Sequence, residues 1–109
     1  MQCYSMVKIV SDSSFVEEVL QNSGVVLVDF WAPWCGPCVQ MLPVIDAVSS
    51  SLPDLKVVKL DVQENQEIPS EYGIMALPTL VLFKNGVEVG RHVGFSDERS
   101  LLEWIKSLS

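Results

Sequence analysis

Val25-Val26-Leu27-Val28-Asp29-Phe30-Trp31-Ala32-Pro33-Trp34-Cys35-Gly36-Pro37-Cys38 is the stretch on which the reading of this chain turns. Val25 to Trp31 is apolar, β-branched and aromatic, interrupted only by Asp29, the composition of a strand buried on both faces. Val39 to Ser51 reads as a helix. A Cys-x-x-Cys pair therefore falls at a strand-to-helix junction. There the first sulfur lies at the positive end of the helix dipole, beside backbone N–H groups that have no partner within the helix. Such surroundings lower a thiol pKa and favour the nucleophilic thiolate.

The whole-chain totals are compatible with that setting. The 109 residues suffice for one domain with a hydrophobic core, and residues 1–109 are expected to form a single domain. With 49% hydrophobic and 19% charged residues, neither a disordered nor a fibrous chain is indicated. The net charge of -7 argues against binding nucleic acid or an anionic membrane surface. No segment reaches the roughly 18 apolar residues of a membrane span, and Met1 to Met6 lacks a basic leader with an apolar core. The expectation is a soluble protein of a reducing compartment. Three cysteines, two of them close together, do not make a disulfide framework.

Taken in order, Val7 to Val10 reads as a short strand and Ser11-Asp12-Ser13-Ser14 as a cluster of capping residues. Ser14 and Glu17 have capping-box spacing, and Phe15, Val16, Val19 and Leu20 fall on one face of a helix of roughly two turns, ending at Asn22-Ser23-Gly24. In the helix after the cysteines, Leu42, Ile45 and Val48 form a stripe widened by Met41 and Val44, and Pro43 predicts a kink. Leu55 to Asp61 reads as a third strand, with Lys59 an isolated charge in it. Gln63 to Tyr72 reads as a short helix stopping at Gly73. Thr79 to Phe83 and Val87 to Val89 flank Lys84-Asn85-Gly86, a hairpin signal. Ser96-Asp97 caps a last helix with Leu101, Leu102, Ile105 and Leu108 buried and Trp104 at the margin.

The resulting order is β-α-β-α-β-α-β-β-α. Helix-separated strands are expected to be parallel with right-handed crossovers, and helices should cover both faces. The fold class is α/β, a mixed five-stranded sheet of three parallel strands plus a C-terminal antiparallel hairpin, between about four helices.

Val28 to Cys38 closely resembles the active-site segment of the thioredoxin family. The resemblance continues through Lys59-Leu60-Asp61-Val62, Tyr72-Gly73-Ile74, Leu77-Pro78-Thr79-Leu80, Phe83-Lys84-Asn85-Gly86 and Val93-Gly94, nearly the whole chain in the family's order. It implies the thioredoxin fold and a dithiol–disulfide oxidoreductase that reduces disulfides in other proteins. It also implies a role in electron transport and cell redox homeostasis, a cytoplasmic location, and no bound cofactor. The redox-active Cys35–Cys38 disulfide would be recycled by an NADPH-dependent thioredoxin reductase.

The resemblance also implies roles. Cys35 would be the nucleophile that forms a mixed disulfide, and Cys38 the resolving thiol. Gly36 allows close backbone approach, and Pro37 stiffens the turn at the helix start. Asp29 would take the proton of Cys38, tuned by Lys59. A buried carboxylate without partners otherwise goes neutral with a raised pKa, and a strand-end Asp bonded to backbone is the structural alternative. Pro78 would be cis and pack against the sulfurs. Leu77 would offer its backbone to an extended substrate segment. Trp34, Gly36, Pro37, Leu77, Pro78, Val93 and Gly94 would line a shallow apolar groove, with Trp31 packing against the active-site loop.

Other readings of the cysteines fare worse. Zinc needs about four ligands, and only Cys3, His92 and scattered carboxylates remain. A structural disulfide closing so short a loop restricts the unfolded chain little. A secretory oxidase or isomerase domain fits poorly with Gly-Pro between the cysteines and no leader. A non-catalytic partner-binding subunit using the same groove is the alternative function.

Val39, Gln63 and Phe95 depart from residues common in the family and suggest a more apolar, less basic rim. Cys3 has no place in the shared motif. It is expected to be an inert thiol on a monomer, with a Cys3-linked dimer the alternative, testable in a Cys3→Ser variant on non-reducing gels. His92 reads as an exposed strand residue.

Overall fold

The computed structural model describes residues 7–109, so Cys3 and the reading of it lie outside the described residues. Five strands form one sheet in the order β1-β3-β2-β4-β5: β1 (Lys8–Ile9), β2 (Val25–Trp31), β3 (Lys56–Asp61), β4 (Thr79–Lys84) and β5 (Val87–Val93). Helices α1 (Gly36–Ser51), α2 (Glu67–Glu71) and α3 (Glu98–Leu108) and a short π-helical segment, Val16–Leu20, complete the order. β1, β2 and β3 run parallel. β4 runs antiparallel to both β2 and β5, giving the mixed sheet expected.

β2 lies at the centre because its side chains are apolar in both directions. Val26, Val28 and Phe30 join Phe15, Val19, Val58, Leu60, Ile68, Val81 and Phe83 on the face covered by the π-helical segment and α2. Leu27 faces the other way, with Met41, Ile45, Val48, Leu101 and Ile105 from α1 and α3. Alternation along β2 places Asp29 on this second face.

The expectation that every helix-separated strand is parallel fails at β4. β3 ends at Asp61, opposite Trp31, and β4 begins at Thr79, opposite Phe30, so the chain re-enters the sheet at the end it left. The intervening helix has five residues and does not carry the chain back along the sheet. The 77–78 peptide is thereby delivered to the end where the cysteines lie.

The helical boundaries depart from the reading in several places. Residues 16–20 wind as a π-helix, with Gln21 N–H donating to Val16 O at 2.8 Å. The wider turn buries Phe15 and Val19 and leaves Val16 exposed. No Ser14–Glu17 capping box forms, because the Ser14 hydroxyl accepts from Ser11 N–H at 2.9 Å.

α1 starts at Gly36 and runs unbroken through exposed Pro43. Its buried face is Cys38, Met41, Ile45 and Val48, so Met41 is central to the stripe and Leu42 only half-buried. α2 covers only Glu67–Glu71, capped from a distance by Asp12, whose carboxylate accepts from Ile68 and Glu67 N–H. α3 is capped as read, Asp97 accepting from Ser100 N–H at 2.8 Å. At the hairpin, Asn85 (φ 51°) and Gly86 (φ 81°) take the left-handed pair of conformations that the Asn-Gly sequence favours. β5 is longer than expected, and a register shift lies at Leu82/Phe83.

Candidate active site

The site lies where β2 hands over to α1. Cys35 N–H donates to Ala32 O at 3.1 Å, and the turn makes Cys35 the N-cap of α1. Its sulfur accepts from Cys38 N–H at 3.3 Å. Cys35 and Cys38 are joined as a disulfide with their Cα atoms 5.2 Å apart. Cys35 is 7% exposed and Cys38 fully buried, so an incoming group can reach only the first sulfur. Gly36 and Pro37 are the first two residues of α1 and both exposed. Proline there removes a donor that the helix leaves unpaired in any case. In the reduced protein, the Cys38 N–H and the helix dipole would act together on a Cys35 thiolate.

Asp29 lies on the α1 side of the sheet, paired with Lys59 of β3 and Leu80 of β4. It is fully buried, and neither carboxylate oxygen has a hydrogen-bond partner. Desolvation pushes its pKa up from 3.8 to about 7, against the attraction of Lys59. The Lys59 ammonium lies 5.1 Å from the centre of the Trp31 ring, a cation–π position. Trp31, half-buried, packs against Ala32, Cys35 and Cys38. A strand-end Asp bonded to backbone is excluded, because Asp29 is orphaned in mid-strand.

The Leu77–Pro78 peptide is cis. Leu77 packs against the Ala32, Cys35 and Cys38 cluster. Buried Pro78 accepts from Gly94 N–H at 2.8 Å, which ties the end of β5 to the start of β4. Val93 is paired with Thr79 and exposed. A cavity of about 320 Å³ opens beside Cys35, lined by Trp34, Val62, Ile74, Met75 and Leu77.

Val62, Ile74 and Met75 were not singled out from sequence. Val62 and Ile74 lay in segments that carry the family resemblance without being read as site residues, and Met75 had only its apolar character as a signal. Trp34 (70% exposed) and Met75 (95%) stand open beside this cavity, and Val39, Val93 and Phe95 are also exposed.

His92 is half-buried against the Trp104 ring, centroids 5.9 Å apart, rather than exposed. Trp104 itself packs against the α1/α3 core. Among the described residues, no group of three or more His, Cys, Asp or Glu side chains is arranged to hold a metal ion, and no helix is long and apolar enough to cross a membrane.

The geometry brings together a pair of sulfurs, a helix N-terminus and a buried acid. The family model described as Thioredoxin matches residues 6–107. A protein named Thioredoxin from Rickettsia prowazekii (strain Madrid E) is 50% identical over 101 residues, covering 92% of this chain and 96% of that one. Thioredoxin of Bacillus subtilis (strain 168) is 47% identical over 96 residues, covering 87% and 90%. Thioredoxin of Chlamydia muridarum (strain MoPn / Nigg) is 44% identical over 100 residues, covering 92% and 96%. With a redox-active cysteine pair at its site, the chain belongs to the thioredoxin family of dithiol–disulfide oxidoreductases.

Proposed function

We propose that the chain, working as one domain, reduces disulfide bonds in other proteins, with Cys35 as attacking thiolate and Cys38 as resolving thiol. The observation that carries this assignment is the hydrogen bond from Cys38 N–H to Cys35 Sγ at the start of α1, because it stabilises charge on the less buried sulfur of the pair. In the first step the Cys35 thiolate attacks a substrate sulfur. The substrate S–S bond breaks, a Cys35–substrate disulfide forms, and the displaced thiolate takes a proton from solvent. In the second, Asp29 accepts the proton of Cys38, whose thiolate attacks Cys35 Sγ and expels the second substrate thiolate. Two electrons have then passed to the substrate and the Cys35–Cys38 disulfide remains.

Asp29 suits the second step because its pKa near 7 lets it exchange a proton at neutral pH. Lys59 tunes it. Trp34, Gly36, Pro37, Leu77, Pro78, Val93 and Gly94 bind an extended substrate segment, to which Leu77 presents its backbone. An NADPH-dependent thioredoxin reductase returns the two electrons, and the protein works in the cytoplasm in electron transport and redox homeostasis, as a monomer. Val39, Gln63 and Phe95 bear on the choice of partner.

A Cys38→Ser variant tests the order of events. Mixed with a disulfide-containing protein after reduction, it is expected to accumulate a mixed disulfide through Cys35, which a Cys35→Ser/Cys38→Ser double variant does not. Accumulation on neither variant would contradict the assignment.

A further inference from the structure

The two methionines among the described residues occupy opposite environments. Met41 is fully buried in the α1/α3 core, and its sulfur accepts from Ser96 N–H at 3.4 Å. Met75 is 95% exposed, yet it lines the same cavity as Cys35, between Ile74 and Leu77. An oxidant in solution meets the Met75 thioether freely and the Met41 thioether hardly at all. The wall to which Met75 belongs is otherwise Trp34, Val62, Ile74 and Leu77, without a charged side chain.

We propose that Met75 is a modification site, at which oxidation of the thioether by a peroxide turns an apolar wall of the groove polar and weakens docking of protein disulfides while sparing the cysteine chemistry. The proposal rests on the reading of this groove as the substrate-binding surface. The balance is simple: the thioether sulfur attacks one peroxide oxygen, an S–O bond forms and the O–O bond breaks. Sulfur is oxidised by two electrons, and hydrogen peroxide is reduced to water. The sulfoxide oxygen is a strong acceptor that water satisfies in the free protein. A docked segment strips that water, and of the wall side chains only the Trp34 indole N–H can donate in return. The penalty therefore falls on substrate docking, and so on KM.

The test uses the full chain in its disulfide form, which protects Cys35 and Cys38, exposed to hydrogen peroxide and then freed of it with catalase. Peptide mapping is expected to show Met75 sulfoxide forming on the order of tenfold faster than Met41 sulfoxide. KM for insulin is expected to rise about threefold to tenfold with kcat little changed. The rate with 5,5′-dithiobis(2-nitrobenzoate), a small disulfide that needs no docked segment, should stay within about twofold.

In Met75→Leu, whatever its starting rate, treated and untreated protein should have the same KM, which separates Met75 from Met1, Met6 and Cys3. Equal oxidation of Met75 and Met41, an unchanged KM with Met75 oxidised, or an equal loss in Met75→Leu would each overturn the proposal alone. An untreated protein that reduces neither disulfide would overturn the groove reading and this proposal with it.

Discussion

Asp29 and Lys59 stand opposite each other on β2 and β3, yet the carboxylate makes no hydrogen bond and the ammonium lies over the Trp31 ring instead. The attraction between them is thus too weak to offset burial, and the Asp29 pKa sits at about 7. The fold keeps a proton on a carboxyl in its core at a pH where an unfolded chain would have released it.

The first consequence is a stability that falls as pH rises. Below about pH 4 the carboxyl is neutral in both states and exacts no penalty. Between about pH 4 and 7 the unfolded chain loses the proton first, and above about 7 the whole penalty is present. At about 1.4 kcal/mol per pH unit, the gap between 3.8 and about 7 amounts to about 4 kcal/mol. Urea unfolding at pH 4.5 and 8.5, values chosen to bracket that window, should show most of this loss in the wild type and none of it from this source in Asp29→Asn. Equal pH dependence in the two proteins would contradict the assigned pKa.

Lys59 opposes the shift, so removing its charge should enlarge it. Lys59→Met keeps an apolar stem near Trp31 and takes away the attraction that lowers the Asp29 pKa. The pH–rate profile for release of the mixed disulfide should move to higher pH, and Asp29→Asn should slow release near neutral pH and abolish the Lys59 effect. Identical profiles for the wild type and both variants would remove Asp29 from proton transfer.

Two glycines separate backbone strain from crowding. Gly94 has φ 94° with open space where a Cβ would go, whereas at Gly86 (φ 81°) a Cβ would run into the Leu20 carbonyl. Gly94→Ala should cost about 1–2 kcal/mol, the left-handed penalty alone. Gly86→Ala should cost at least about 1 kcal/mol more, because backbone must also move. Chemical denaturation measures both, and equal losses would show that crowding at Gly86 is relieved without cost.

What was legible in the sequence was what is written locally. The β2-to-α1 junction combines an apolar run, two cysteines and a proline at the helix start, and Asn85-Gly86 and Asp97 mark their turn and cap directly. What was not legible depends on distant partners. The cap of α2 comes from Asp12, across the fold, so α2 could not be bounded from its own residues. Ser14 looked like a cap but spends its hydroxyl on Ser11 N–H. Met75 carries no local signal of a site, because its place beside Cys35 exists only in the folded chain. His92 was read from its strand alone, without the Trp104 ring that α3 brings against it.

The central claim is that Cys35, held at the N-terminus of α1, attacks substrate disulfides. Insulin reduction by dithiothreitol, followed by turbidity with wild type and with Cys35→Ser, tests it most directly. The wild type should accelerate precipitation well beyond dithiothreitol alone and Cys35→Ser should not. A wild type no faster than dithiothreitol alone, or a Cys35→Ser variant as fast as the wild type, would contradict it.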